Sequence, residues 1–417
     1  MGLTLLAVLV VLGVGGREAG PTVRAIASSA VGGPPLAVAV DVQSGRALVV
    51  KSAVHNVSVL DTHSGAVLGA MRSGSSPLAL AVDAPAGRVF VAAYNPSRPN
   101  QPTALCCSGE ASVSTLDLRR GRLLHSVPVG LPPLTLAVDA PRGRVFVTSC
   151  SEIDRTGRVS LIDARSGRLL RTIRVGPWPR AVAVDERTGQ AFITLDDGSG
   201  MGRVGMLDRA GVRLLRTSAV NQAPGAVATD ERTGRVFVLS QSSVGVVDAR
   251  TGVLLRTVRM GRPLLDLAID EQTGRAFVTL QATVRGTGGV SVLDATSGRL
   301  LRTSNVDLLP EAMTVDERHG LVFVVSQRIA EDGTPRGPGA VSVLDAASGR
   351  LLRTVPIGGI PNAVAVDERT EHLVVPVLTG AAPRPNEWWA LWMPWLPSRA
   401  SRLPAVPSGV TVLAVSR

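Results

Sequence analysis

Lysine is almost absent from this chain of 417 residues: Lys51 is the only one, although the formal net charge is +11. Arginine therefore supplies nearly all of the positive charge. A basic surface is compatible with nucleic acid, anionic lipid or an acidic polymer and does not select among them. Aromatic residues make up only 3% of the chain, so stacking of unpaired bases on a series of exposed rings has little support.

Cysteine and histidine are also scarce. The three cysteines, Cys106, Cys107 and Cys150, form neither a disulfide framework nor a zinc-finger spacing. None of the five histidines accompanies a Ser or Cys in a nucleophile motif, and the sequence has no G-x-S-x-G elbow. No G-x-G-x-x-G turn or P-loop follows a predicted strand into a helix. These absences argue against the common hydrolase and nucleotide-binding folds, and we predict no cofactor.

An apolar segment, Leu3 to Gly15, stands at the beginning of the sequence. It is short for a membrane span and resembles the central part of a signal peptide, although no basic residue comes before Arg17. We predict that residues 1–20 are a signal peptide or a short membrane anchor, with a misplaced start codon as the alternative. Residues 21–417 are then one domain, located outside the cytoplasm.

Two phrases alternate along that domain. The first is an apolar run that ends in aspartate, such as Ala-Val-Ala-Val before Asp185, and the second is a Val-Leu-Asp phrase, such as the one ending at Asp294. Each second-phrase aspartate precedes the next first-phrase aspartate by 22 residues, for example from Asp294 to Asp316. A period of about 45 residues, as between Asp185 and Asp230, is typical of a β-propeller with four-stranded blades.

Each repeat predicts four strands, a to d. Strand a is the apolar run, expected to be buried on both faces, and strands b and c are β-branched runs such as Arg235-Val-Phe-Val and Val290 to Asp294. Strand d is a Leu-Leu-Arg-Thr run, whose arginine would protect the outer edge of the blade from pairing with other chains. The Asp-x-x-x-Gly sequences after strands a and c predict turns capped by the aspartate, not paired catalytic carboxylates.

The number of repeats favours eight blades, and seven is the alternative. Seven units are complete, while the last has strand a at Asn362 to Val366, strand b at His372 to Val377 and strand c at Gly409 to Val415. We predict that the segment Thr22 to Ser28 supplies the missing strand d. An N-terminal strand would thus complete the C-terminal blade and close the ring.

The full pattern resembles the YVTN-type β-propeller repeat family, the YncE-like group. The tetrad that gives this family its name corresponds here to Phe146-Val-Thr-Ser149 and Phe277-Val-Thr-Leu280. The resemblance covers residues 22 to 379 and the last ten residues. It implies the propeller fold and an exported or cell-surface protein; for activity it implies little, since relatives include binding proteins and other propellers of this kind include lactonases.

The b–c loops hold nearly all of the length variation. From strand-a Asp to strand-c Asp the interval ranges from 18 to 34 residues, so we expect the binding residues on the face formed by these loops. Cys150 lies in the loop next to that of Cys106 and Cys107, and export would favour a disulfide from Cys150 to one of them. Candidate polar residues at the mouth of the central channel are Glu152, Asp154 and Asp196.

The last b–c loop, residues 380–408, is unusual because it is rich in tryptophan. It contains four of the five tryptophans of the chain: Trp388, Trp389, Trp392 and Trp395. The loop is predicted either to fold over the propeller itself or to insert into a membrane interface, for which Trp with flanking Arg is suited. Contact with a partner protein is a further alternative.

The sequence thus favours a non-enzymatic, monomeric binding scaffold outside the cytoplasm, acting through its b–c loop face on an unknown protein or surface polymer. The first alternative is a metal-dependent hydrolase of the lactonase kind with its site at the channel. The second is an arginine-driven binder of nucleic acid or an anionic polymer.

Overall fold

The structure, a computed structural model, describes residues 21–51, 55–73, 76–96, 109–151, 156–196, 198, 200–282, 287–306, 309–328, 338–378 and 408–416. These residues form an all-β molecule of eight antiparallel blades in a ring. The prediction of an eight-bladed propeller is therefore confirmed. Among the described residues no helix is long and apolar enough to cross a membrane.

The first four blades follow one another in the sequence, and each is written from its innermost strand a to its outermost strand d. Blade 1 contains β2 (Pro35–Asp41), β3 (Arg46–Lys51), β4 (Asn56–Asp61) and β5 (Val67–Arg72). Blade 2 contains β6 (Ser76–Asp83), β7 (Arg88–Pro96), β8 (Gly109–Asp117) and β9 (Arg122–Pro128). Blade 3 contains β10 (Pro133–Asp139), β11 (Arg144–Cys150), β12 (Gly157–Asp163) and β13 (Leu169–Gly176). Blade 4 contains β14 (Pro179–Asp185), β15 (Gln190–Asp196), β16 (Gly202–Leu207) and β17 (Leu214–Val220).

The next three blades repeat this arrangement. Blade 5 contains β18 (Val227–Asp230), β19 (Arg235–Ser240), β20 (Ser243–Asp248) and β21 (Leu254–Arg259). Blade 6 contains β22 (Leu264–Asp270), β23 (Arg275–Leu280), β24 (Gly288–Asp294) and β25 (Leu300–Val306). Blade 7 contains β26 (Leu309–Asp316), β27 (Leu321–Gln327), β28 (Gly339–Asp345) and β29 (Leu351–Ile357).

Blade 8 joins the two ends of the sequence. Its outer strand is β1 (Thr22–Ala30), which pairs with β33 (Ser408–Ser416), and β33 pairs with β32 (His372–Leu378). The predicted N-terminal closing strand is thus confirmed. Strand a of this blade differs from the prediction, because it is divided into β30 (Ile360–Pro361) and β31 (Ala365–Asp367), which both pair with β32.

The core lies between the blades and centres on the b strands. At equivalent positions of blades 2 to 7, strand b buries a phenylalanine completely: Phe90, Phe146, Phe192, Phe237, Phe277 and Phe323. Strand a, expected to be fully buried, is instead mostly half-buried along its length, as the pattern of β2 shows. The reason is its place in the blade, since strand a borders the axis of the ring while strand b has a neighbouring strand on both sides.

The turns confirm the capping role of the aspartates. In the c–d turn of blade 3, Asp163 Oδ1 accepts hydrogen bonds from the backbone N–H and the Oγ–H of Ser166, both at 2.7 Å. These bonds, led by the one from the Ser166 side chain, lower the pKa of Asp163. Gly167 follows with a φ of 68°, a conformation that favours glycine and closes the turn. The a–b and c–d turns share one face of the disc, here called the a–b face; the b–c and d–a links share the other, the b–c face.

Candidate functional site

The a strands of adjacent blades contact one another around a closed circuit, from β2 through β6, β10, β14, β18, β22 and β26 to β31 and back to β2. They therefore surround the central channel. Because the a strands begin at the b–c face and end at the a–b face, residues early in each strand are near the b–c mouth. The position five residues before the strand-a aspartate is the most variable of these. Along blades 1 to 8 it holds Leu36, Leu78, Leu134, Arg180, Gly225, Leu265, Glu311 and Asn362.

The channel wall is therefore asymmetric at this mouth. At the position five residues before the strand-a aspartate, blades 1 to 3 have leucine. Charged and amide side chains occur at this position only in blades 4 to 8. Glu311 in β26 accepts a hydrogen bond from Gln327 Nε2 at the end of β27 in the same blade. Desolvation raises the pKa of Glu311 to about 7, so this carboxyl group changes charge near neutral pH.

A second acidic group lies in the neighbouring blade. Asp266 in β22 accepts the backbone N–H of Met313 in β26 at 2.8 Å, and this bond links blades 6 and 7. Asp266 is half-buried as a residue, but protein surrounds its carboxylate closely, and desolvation raises its pKa to about 6. Two carboxyl groups with raised pKa values, on adjacent inner strands, make this sector of the channel the most unusual electrostatic environment among the described residues.

Unsatisfied acceptors lie in the same sector. Within the described part of the chain, Gln327 Oε1 and Asn362 Oδ1 are buried without a hydrogen-bond partner. The amide nitrogen of Asn362 donates to the Pro35 carbonyl and so connects blade 8 to blade 1. Buried acceptors without partners are costly. Protein encloses both oxygens, so a hydrogen-bond donor reaches them only when the side chains that cover them move.

Of the predicted channel-mouth residues, only Asp196 belongs to the described part of the chain. It ends β15 and accepts a hydrogen bond from Arg180 at 3.3 Å, and Arg180 also lies over the ring of Trp178 with 5.8 Å to the centroid. Asp196 thus lies at the b–c end of strand b in blade 4, and its role at the channel mouth stays a prediction. Glu152 and Asp154 fall outside the described residues. No group of three His, Cys, Asp or Glu side chains suited to a metal ion occurs among residues that the structure describes.

Two other predicted features cannot be compared with the structure in full. Cys150 is buried at the end of β11, while Cys106 and Cys107 lie outside the described residues, so the disulfide stays a prediction. The tryptophan-rich loop with Trp388, Trp389, Trp392 and Trp395 also lies outside them, and its contact with a membrane or partner stays a prediction as well.

The single lysine is a buried residue at the end of a b strand. Lys51 Nζ donates to the Val31 carbonyl at 2.6 Å, and desolvation lowers the pKa of this amine. Its side chain therefore connects β3 to the link that enters blade 1. This role leaves the exposed positive charge of the protein entirely to arginine.

The opposite mouth of the channel, on the a–b face, holds an arc of glutamates that the sequence interpretation missed. The residue after the strand-a aspartate is glutamate in blades 4 to 8; these five form the glutamate arc: Glu186, Glu231, Glu271, Glu317 and Glu368. Glu231, Glu271 and Glu317 each accept a hydrogen bond from the backbone N–H of the preceding glutamate of the arc, as when Glu231 Oε1 accepts the N–H of Glu186 at 2.6 Å. Glu186 accepts the backbone N–H of Ala140 in the same way. Glu368 likewise accepts the N–H of Glu317 at 3.1 Å.

Arginines strengthen the same junctions. Arg187 Nε donates to the Glu231 carbonyl at 3.2 Å, and Arg232 Nε donates to the Glu271 carbonyl at 2.6 Å. Desolvation, followed by the proximity of other carboxylates, raises the pKa of Glu231. The arc therefore joins neighbouring blades and gives the a–b mouth an acidic half, opposite Val42 and Ala84 of blades 1 and 2.

Comparison with known proteins supports the fold. No protein-family model matches the chain, and no curated protein matches it. Among solved structures, the chain is similar to the Dos1 propeller, with a TM-score of 0.64 and 11% identity over 94% of this chain and 95% of that one. It is also similar to a chain of Kuenenia stuttgartiensis hydrazine synthase, with a TM-score of 0.54 and 15% identity over 83% of this chain and 93% of that one. At such identities the likeness shows the propeller fold alone.

Proposed function

We propose that this chain is a non-enzymatic binding protein of the YVTN-type, YncE-like group that works outside the cytoplasm and binds its ligand at the b–c mouth of the channel. The observation that supports this most directly is the acceptor-rich sector of blades 6 to 8. There Glu311 and Asn362 replace the leucine of blades 1 to 3, and Asp266 and Gln327 add two further acceptors. Largely apolar concave sites with a few polar groups are typical of ligand binding.

The chemistry of the sector suggests the class of ligand. Carboxylate and amide oxygens accept hydrogen bonds, and the two acids become negatively charged between about pH 6 and pH 7. A hydroxyl-rich saccharide of a surface polymer, or an amine on a partner protein, would supply the donors. The apolar leucines of blades 1 to 3 would contact the less polar side of the same ligand.

Thermal unfolding of the full chain with a panel of neutral oligosaccharides, polyamines, sugar lactones and divalent metals tests the proposal. A saccharide or amine at a hundredfold excess over its dissociation constant should stabilise the protein by about 2.7 kcal/mol. Glu311→Gln should weaken this effect. The matched control is Glu110→Gln, which neutralises an exposed glutamate near the same face in blade 2.

Three results would contradict the proposal. A flat panel, or equal losses in both variants, would argue against a site in blades 6 to 8. A stabilisation by metal that EDTA reverses, together with lactone hydrolysis, would favour the hydrolase alternative.

A further inference from the structure

The outermost strand of blades 1 to 7 contains a one-residue β-bulge near its start. In blade 6, Leu300 pairs with Leu293 and Arg302 pairs with Val292, so Leu301 has no partner across the ladder. The equivalent bulged residues are Leu68, Leu124, Leu170, Leu215, Leu255, Leu301 and Leu352. A bulge interrupts the edge as a template for another strand. A partner that contacts this edge must therefore bind through its side chains and not by adding a strand to the blade.

The bulged leucines are exposed in blades 1 and 3 to 6, whereas Leu124 and Leu352 are only partly exposed. Relative exposure is 48% for Leu170, 51% for Leu255 and 50% for Leu301, and each is followed by an exposed arginine, as in Leu255-Arg256. Large apolar side chains that are exposed at the same level of successive blades form a continuous feature of the outer wall, and such features commonly mark interaction surfaces. Leucine next to arginine makes this surface both apolar and basic.

Between blades 5 and 6 the outer wall has a shallow groove of about 320 Å³, lined by residues next to Leu255 and Leu301 in the sequence. One wall is β21 with Arg256, Val258 and Arg259, and the other is the start of blade 6's outer strand with Arg299 and Leu300. Arg256 is held along the groove by donating to the Ser297 carbonyl at 3.1 Å. Three arginines and no acidic residue line it.

We propose that this groove binds an acidic segment of a partner protein, with an apolar side chain against Val258 and Leu300 and carboxylates paired with the three arginines. Charge complementarity requires an anionic occupant, since guanidinium groups pair well with carboxylates. The convex outer wall and the small volume favour a peptide segment over a bilayer, because a flat membrane touches such a wall only along a narrow strip.

The sequence repeats this arrangement at one more junction. Between blades 3 and 4, Arg171 and Arg174 of β13 occupy the positions of Arg256 and Arg259, and Arg213 occupies the position of Arg299. Between blades 4 and 5 the positions of Arg259 and Arg299 are Ala219 and Val253. We therefore expect two equivalent sites on each chain.

Isothermal titration of the full chain with a short peptide of alternating Glu and Leu tests this. We expect two binding sites on each chain. High salt should lower the affinity for the peptide about tenfold or more, because exposed ion pairs are screened. In Arg259→Glu/Arg299→Glu the stoichiometry should fall from two to one. Adding Arg174→Glu and Arg213→Glu should abolish binding.

The matched control is Arg203→Glu/Arg318→Glu, which changes the net charge equally at two exposed arginines away from both grooves. It should retain two sites. Circular dichroism and the melting temperature verify that all variants are folded. An unchanged stoichiometry in the fourfold variant, an equal loss in the control, or equal binding of a Gln-Leu peptide would overturn the proposal. The proposal would also be overturned if the protein bound anionic vesicles or heparin but not the peptide, and the groove substitutions removed that binding.

Discussion

Glu311 is the residue whose environment differs most from that of its equivalents. Its counterparts in blades 1 to 3 are leucines, and its own carboxyl group is desolvated, with a pKa of about 7. In an unfolded chain the pKa of a glutamate is about 4.3. The folded state therefore binds the proton more tightly than the unfolded state.

This difference predicts how Glu311 affects stability. Its contribution is fully present below about pH 4.3 and is lost as pH rises through 7, by about 3 to 4 kcal/mol in all. In Glu311→Gln the free energy of unfolding should therefore fall less between pH 5 and pH 7.5 than in the wild type. Urea unfolding of both proteins at the two pH values measures this difference in the free energy of unfolding. Parallel pH profiles for the two proteins would show that Glu311 titrates normally.

Single residues also mark the limit of sequence interpretation. Asp163 and its equivalents were predicted correctly as turn caps, because an Asp-x-x-x-Gly turn is a local structure. Glu311 and Asp266 could have been found as interruptions of the apolar strand-a run. Their raised pKa values could not, because these depend on how closely blades 6 and 7 pack. Glu152 and Asp154 stay predictions.

At the scale of elements, the glutamate arc joins inner strands that share no sheet. Glu231 accepts the N–H of Glu186 across the junction of blades 4 and 5, and Glu271 accepts the N–H of Glu231 across the next. The sequence shows the glutamates at fixed positions but not the bonds, since the distance between successive blades is a tertiary property. The repeated turns alone predict only the capping by the aspartates.

Substitutions at Glu231 separate its hydrogen bond from its charge. Glu231→Ala leaves the Glu186 N–H without its acceptor and should cost about 1 kcal/mol. Glu231→Gln keeps an acceptor and removes a desolvated charge with a raised pKa, so it should be neutral or slightly stabilising at pH 7.5. Denaturant unfolding measures both. If the two variants lose the same stability, the charge of the Glu231 carboxylate stabilises the protein and its hydrogen bond with the Glu186 N–H does not.

At the scale of the whole molecule, stability depends on the closure of blade 8. Here the sequence was most informative, because the missing strand d at one end and an unassigned strand at the other predicted how the ring closes. Val23 of β1 packs in a core cluster with Phe323 and Val415, whereas the adjacent Arg24 is exposed. The divided strand a of the same blade was not predicted, since its sequence pattern matches that of the other blades.

This closure can be tested with adjacent residues of β1. Val23→Asp places a charge in the core and should destabilise the protein by about 3 kcal/mol or more. Arg24→Asp should change stability by no more than about 0.5 kcal/mol. Thermal unfolding and size-exclusion chromatography would show whether an opened blade 8 also causes association. Equal melting temperatures would mean that β1 contributes little to the ring.

The pairing of Thr22 with Ser416 also sets the order of events when the protein is made. Blades 1 to 7 each consist of consecutive strands, so each can form its sheet from local sequence and pack when the next blade has emerged. β1 must wait for β33, because all the strands of blades 1 to 7 lie between them in the sequence. During that interval β1 is an unpaired strand attached to a growing, open arc. Emergence of β33 is thus the step that allows the arc to close into a ring.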